Sequence, residues 1–482
     1  MSTTPATPAA TAGARPGAAL PRPRGAAALP AEELAELARQ VAGPVHGPGP
    51  EADAEVAPFN VAHRQRVAAV VGATCAGDVA AAVRVAARHS LPVAVQATGH
   101  GIVAPREDAV VVSTARMQAV RVDPATRSAR VEAGVRWRAV LEAAAPYGLL
   151  PVCGSSSSVG VVGMALGGGV GPLVRTYGSA ADRVTAAEVV LADGRQVRVD
   201  DRHESDLFWA LRGGKGAFGI VTALELELVE QPRVHGGPLF FDGAATREVL
   251  HAYRQWAAGL PTTSSTSVAV LQLPPLPAVP EPLRGRHVVM VRFAHCGPAE
   301  EAQALLAPLR AAGPVLADAV RELTGPELDA VHMDPSDPMP VWERGGLLTD
   351  LPAEAVEVLA DVAGPGAGLP GTIVELRQLG GALSAPQGSP NAVAGRHGAW
   401  SVLALAPLLP GLEEAGPAAA QRVLGALAPW RAPGSLLNFL GAVGDRAEVA
   451  SAWSPEAAER LRAVKRAYDP QDLFRTGHAL AP

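Results

Sequence analysis

At 482 residues the chain is long enough for two to four domains of roughly 100–200 residues each. Hydrophobic residues make up 48%, only 18% are charged and 4% aromatic, so valine and alanine rather than rings must fill the core. The net charge of -6, from 41 Lys+Arg against 47 Asp+Glu, gives no cationic footprint for nucleic acid, and three cysteines exclude a disulfide framework or a cysteine-rich zinc module. The odd cysteine count (Cys75, Cys153 and Cys296) suits a reducing compartment, here the cytoplasm. No metal site is expected.

Residues 1–30 are Ala/Pro-rich without a basic region followed by an apolar run, which predicts a disordered tail rather than a leader. LPAEELAELARQV has Leu34, Leu37 and Val41 at helical spacing. Asp78 reads as the N-cap of DVAAAVRVAARH, and LPVAVQ is a strand running into Thr98-Gly99-His100-Gly101. A hairpin over 117–135, a helix from Trp137 stopped by Gly148, and a second hairpin around Asp193-Gly194 follow. Between them residues 143–174 carry no charge, but eight glycines and the run Ser155 to Ser158 are poor material for a membrane helix. DLFWALRGG predicts a short helix and GIVTALELELVE a strand. Beyond Pro232 the spacing predicts strands at HVVMVRFAH and GTIVELRQLGG, with helices at 298–312, 351–364 and 454–470. Strand pairs interleaved with helices, without strict βαβ alternation, predict an α+β fold.

Three glycine-rich turns fall within about 120 residues: Thr98 to Gly101, Gly154 to Gly171, and Gly213 to Gly219. None has the strand–turn–helix setting of a dinucleotide fingerprint, and GGKGAFG lacks the ending of a phosphate-gripping P-loop. Separate backbone-lined turns suit a long anionic ligand, because glycine lets amides approach a pyrophosphate closely.

The residues then become familiar. VAVQATGHG, the segment GSSSSVGVVGMALGGGVGPLVRTYGSAADRVTAAEVVLADG, DLFWALRGGKGAFGIVT and the closing RLRAVKRAYDPQDLFRTGHALAP resemble the flavin domain and C-terminal motif of the berberine bridge enzyme-like oxidases of the vanillyl alcohol oxidase superfamily. VELRQLGGAL resembles a strand of their substrate domain. The resemblance implies a two-part FAD-binding domain over 31–231, with its core at about 62–231. It further implies a substrate domain over 232–431, an antiparallel sheet covered by helices, and a segment 432–482 returning to the FAD domain.

What the resemblance implies for single residues is as follows. His100 carries FAD covalently; the cysteine of a second bond is replaced by Ser156, so the attachment is through His100 only. Thr98, Gly99, Gly101, Gly154, Ser155, Gly160 and Gly163 line the pyrophosphate and ribityl chain. Gly216, Gly219, Ile220 and Val221 line the adenine and ring side. Met164 stands where many relatives have a histidine, and Val159 is the oxygen-permissive choice at the gating position. Asn438 is a further cofactor contact, while Phe439 supplies no phenol. Gly477 and Ala479 replace two asparagines of the closing motif; His478 remains. Glu375, Arg377 and His397 are the candidate catalytic groups, with Glu375 and Arg377 on one strand face and Gln378 on the other.

The function implied is an FAD-dependent oxidase taking hydride from a small organic alcohol or amine and passing electrons to O2 with release of H2O2. Its partners would be that substrate and O2, with no nucleic acid or membrane, in a monomer or homodimer. The rivals are a flavin-binding protein with little turnover and a dehydrogenase using another acceptor.

Overall fold

Small β-favouring side chains dominate the strands Arg66–Gly72 and Glu107–Ser113, where Val70, Val71 and Ala109 to Val112 are fully buried. Runs apolar on both faces suit parallel strands. The two strands do pair in parallel, with Val93–Gln96 parallel on the far side and Val45–His46 antiparallel at the edge. This computed structural model describes residues 28–482 apart from 64–65, 103–106, 278 and 444; the tail expected over 1–30 lies outside the described residues up to 27.

Both expected hairpins form and share a second, antiparallel sheet in the order Val120–Asp123, Ser128–Glu132, Ile220–Glu227, Val184–Val190, Gln196–Val199. The helix Trp137–Ala144 ends through a single 3-10 turn at Gly148, whose φ of +67° glycine takes without strain. One expectation is corrected: Asp78 is not the N-cap. The helix begins earlier, at Ala76–Arg88 with Cys75 capping, and the Asp78 carboxylate reaches back to accept from Thr74 N, Thr74 Oγ1 and Ala42 N. An acid in the first turn satisfies free amides ahead of the helix as well as a cap would.

The rest of the chain builds a larger antiparallel sheet around Val234–Asp242, His287–His295, Ser264–Gln272, Ile373–Gln378, Trp400–Pro407 and Val341–Leu348. Its two faces differ. Val268, Val291, Phe293, Val374, Leu376 and Val402 pack beneath the helices Thr246–Ala258, Ala299–Arg310, Ala353–Ala363 and Ala415–Ala426. Alternation turns the intervening residues the other way. Register aligns Arg377 with Ser267 and Ser267 with Arg292, and places Glu375 beside Leu403, itself opposite Gly345. Glu343, two residues before Gly345, therefore shares this polar face, which meets the glycine-rich segments.

Guanidinium groups hold the two layers together. Arg175, 7% exposed, donates to the carbonyls of Ser264 (2.8 Å), Leu379 (2.6 Å) and Leu260 (3.3 Å). Arg396 pairs with the buried Asp182 at 2.6 Å, and Arg212 donates to the carbonyls of Ser389 and Pro390. Among the described residues no helix is long and apolar enough to cross a membrane.

The closing helix Pro455–Tyr468 is anchored by one buried charge. Lys465, fully inaccessible, donates to Asp469 (2.6 Å), to the carbonyl of Ala217 in the third glycine turn (2.8 Å) and to that of Phe474 (2.9 Å). Removing one member of a buried, hydrogen-bonded pair strands the other, so Lys465→Met should destabilise the fold by about 3–5 kcal/mol, read as a lowered urea midpoint.

Candidate functional site

The turn after Val93–Gln96 sets the first part of the site. Gly99 has φ +72°, and a Cβ there would lie 2.6 Å from Pro58 Cα. Pro58 is that close because Phe59 N donates to Thr98 O (3.1 Å) and Asn60 N to Gly99 O (3.4 Å). The same strap puts the Phe59 ring flat on the His100 imidazole, with centroids 3.9 Å apart and an interplanar angle of 10°. His100 Nδ1 lies 2.9 Å from Thr98 Oγ1, and Nε2 lies 3.4 Å from Ser158 Oγ, which continues to Ser156 Oγ at 2.8 Å. Burial, reinforced by the Arg136 charge, lowers the imidazole to about 4. It is neutral at physiological pH, the form in which a ring nitrogen has a free lone pair.

The second glycine segment packs against this turn. Gly160 stands over Thr98, where a Cβ would approach its Oγ1 to 3.6 Å, and Trp137 N donates to Val159 O. Asp329 from the larger sheet's side accepts from Ser157 N (2.7 Å) and Ser157 Oγ (2.5 Å), fixing the serine run. Ser155 is half-buried, Gly154 is buried under the Met164 methyl, and Asn438 Nδ2 donates to Met164 O at 2.8 Å. A Cβ on Gly163 would meet nothing within 4 Å; on Gly101 and Gly216 nothing comes nearer than 3.8 Å. Gly163 therefore faces open space, and Gly101 and Gly216 have room for a Cβ at ordinary contact distance. Gly219, Ile220 and Val221 do not, since their atoms are packed into the sheets and the side chains of the last two are buried. Cys153 is buried, and its thiol is pushed up to about 12, chiefly by burial and then by Asp329.

Opposite stands the polar face of the larger sheet. Glu375 accepts from Arg292 (3.2 Å) and from Arg377 (3.1 Å), and Arg377 Nη2 also lies 3.1 Å from His332 Nε2. Burial would raise the Glu375 carboxyl, but the Arg377 and Arg292 charges outweigh it and hold it well below the usual carboxylate range. Gln378 points to the other face and donates to Ala257 O. Arg377 reaches the glycine segment at Val170 O (3.3 Å), and its guanidinium lies over the Phe439 ring at 5.3 Å. His397 is exposed, with Nε2 on the Pro433 carbonyl, and is not brought to this cluster.

Sequence reasoning passed over Lys215 and Glu343. Lys215 is the one charged residue in a glycine run, a visible signal. Glu343 sits in VWERGGLL, which has no clean alternation, and only strand pairing shows where it faces.

The chain is similar to known proteins. A family described as an FAD binding domain matches residues 67–200. The (R)-6-hydroxynicotine oxidase of Paenarthrobacter nicotinovorans is 30% identical over 444 residues, 87% of this chain and 92% of that protein. The crystal structure of 6-hydroxy-D-nicotine oxidase from Arthrobacter nicotinovorans superposes with a TM-score of 0.79 at 28% identity, covering 92% of this chain and 98% of that one. The berberine bridge enzyme-like protein 1 of Physcomitrella patens, at 19% identity, shares the fold with a TM-score of 0.77, covering 93% and 99%.

The turn's dependence on a left-handed residue is testable. Gly99→Ala forces a Cβ into Pro58 at an angle costing about 1–3 kcal/mol, so the thermal midpoint should fall and the Phe59–His100 stack should open, seen as a shifted His100 ring resonance.

Proposed function

The chain belongs to the FAD-linked, berberine bridge enzyme-like oxidases, and from that membership we propose that it holds FAD covalently through His100 alone and oxidises a small organic alcohol or amine at the expense of O2. The observation that carries the attachment is the neutral imidazole, stacked on Phe59 and held between Thr98 and Ser158, where the first glycine turn meets the second glycine segment. A neutral ring nitrogen is a competent nucleophile toward an activated methyl group. Ser156 offers a hydroxyl where a second bond would need a thiolate, and Cys153 is buried and protonated through the physiological range.

The residues fit such a group. Gly163 faces open space, and at Gly101 and Gly216 a Cβ would meet nothing nearer than 3.8 Å. Thr98, Gly99, Gly154, Ser155, Val159, Gly160 and Met164 form the wall on the His100 side, with Asn438 bridging from the closing segment through Met164 O. Gly219, Ile220 and Val221 would contribute through their backbone only. When bound, FAD supplies a two-electron acceptor that O2 can re-oxidise with formation of H2O2. The chain's own part is positioning: Glu375 and Arg377 form a fixed charge pair that orients a polar substrate against the glycine segments. We assign no role to the exposed His397. In this reading the FAD-binding part spans 31–231, the substrate part 232–431 and the returning segment 432–482.

Acid-denatured, washed protein should retain yellow fluorescence on the polypeptide, and His100→Ala should lose it. The native protein should release one H2O2 per substrate oxidised from a panel of amines, alcohols and carbohydrates. Fluorescence that survives in His100→Ala would refute the attachment, and turnover without peroxide would point to another electron acceptor.

A further inference from the structure

Lys215 occupies a backbone conformation that lysine rarely takes, with φ +57° and ψ −149°, a region used almost only by glycine. Something else must hold it there. Its amide donates to Leu166 O, and its side chain threads past Gly167, where a Cβ would lie 2.7 Å from Lys215 Cε. The ammonium reaches the cleft beside the His100 turn, 3.9 Å from where a Cβ of Gly101 would stand. There Lys215 Nζ lies 3.3 Å from His478 Nδ1. His478 Nε2 donates to Gly441 O at 2.8 Å, so Nδ1 is left as the acceptor for the ammonium. The lysine is thus oriented by a histidine that is itself oriented by the backbone.

Glu343 lies on the same side, on the polar face of the larger sheet, and its backbone carbonyl packs on Gly441, where a Cβ would lie 2.0 Å from Glu343 O; Gly441 is the residue whose carbonyl holds His478. Glu343 is half-buried, and among the described residues its carboxyl takes part in no hydrogen bond or ion pair. Glu375, in contrast, is bonded to two arginines. The other charged neighbours of Glu343 are accounted for. Arg344, the next residue on the strand, donates to Ala442 O and pairs with Glu448. His478 is buried and neutral, and the flanking strand presents only Leu403 and Leu405.

We propose that Glu343 is the proton acceptor of the oxidation and that Lys215 is the positioning residue that tunes it. The proposal rests on the FAD-oxidase reading above. The substrate O–H or N–H bond breaks and its proton passes to the Glu343 carboxylate. With FAD bound as the two-electron acceptor, the adjacent C–H bond would give up its electron pair as hydride, so that an alcohol would become a carbonyl or an amine an imine. The proton then returns to solvent through the cleft. Burial raises the Glu343 carboxyl to about 7 against the opposing Lys215 charge, and burial lowers Lys215 to about 8 against Glu343. A base poised near neutral pH is matched to this task, whereas Glu375, held ionised by its arginines, is not.

The test uses the holoprotein. pH-difference infrared spectra should show a carboxylic-acid C=O band titrating near pH 7 that vanishes in Glu343→Gln, with kcat lowered at least 100-fold, as general-base removal does. Glycine accepts the Lys215 backbone angles, so Lys215→Gly removes the ammonium without breaking the turn. In that variant the band and the acidic limb of kcat/KM should move up together by roughly one pH unit, because a nearby cation no longer favours the carboxylate. A Glu343→Gln protein that keeps turnover within about threefold overturns the proposal. So does a Lys215→Gly protein whose activity falls with band and limb unmoved, the mark of a merely structural lysine. Visible absorbance of the same samples separates the two readings: colourless wild-type protein overturns the FAD assignment itself, whereas yellow protein failing these tests overturns the Glu343–Lys215 pair alone.

Discussion

A buried guanidinium that finds all its partners on the opposite layer sets the gap in which the site lies. Arg175 issues from the end of the second glycine segment and bonds three carbonyls of the larger sheet's side. A charge so deeply removed from water tolerates no slack, because each lost bond leaves an uncompensated donor in low dielectric. Arg377 crosses in the reverse direction to Val170 O, and Arg396 meets the buried Asp182. The glycine turns and the polar sheet face are therefore held at fixed separation by directional bonds, where apolar contact alone would allow sliding.

Within that gap the charge is unevenly placed. Glu375 lies between two arginines and is a permanent anion, while Glu343 and Lys215, each shifted by burial against the other's charge, have few other partners. The imidazoles of His100 and His478 are both neutral for the same reason, burial near a cation. The cleft thus combines one rigid ion cluster with one responsive pair. The difference lies in partners: the Glu375 carboxylate accepts from two guanidinium groups, whereas the Glu343 carboxyl takes part in no hydrogen bond among the described residues.

Much of the fold was legible because the chain states its periodicity plainly. The hairpins over 117–135 and 186–200 and the helices ending at Gly148 and Asp469 all carry turn or stop chemistry in their own residues. Glu375 and Arg377 shared a face as alternation requires, and Gln378 took the other. What the residues could not reveal was long-range pairing. Phe59 meets His100 only because a strap crosses the turn, and Glu343 joins the polar face only because Val341–Leu348 pairs with Trp400–Pro407. Asp78 was misread because an acid can serve the amides before a helix from inside its first turn.

The seam's acceptors deserve a last consideration. Ser264, Leu379, Leu260 and Val170 meet the arginines through main-chain oxygens, and so do Ser389 and Pro390. At these positions, unlike at Asp182, docking is insulated from side-chain identity on the receiving side. The sheet is free to exchange the groups lining its pocket, and with them its choice of reactant, while the cradle it closes upon keeps its alignment: a division of labour that lets one scaffold diversify without being rebuilt.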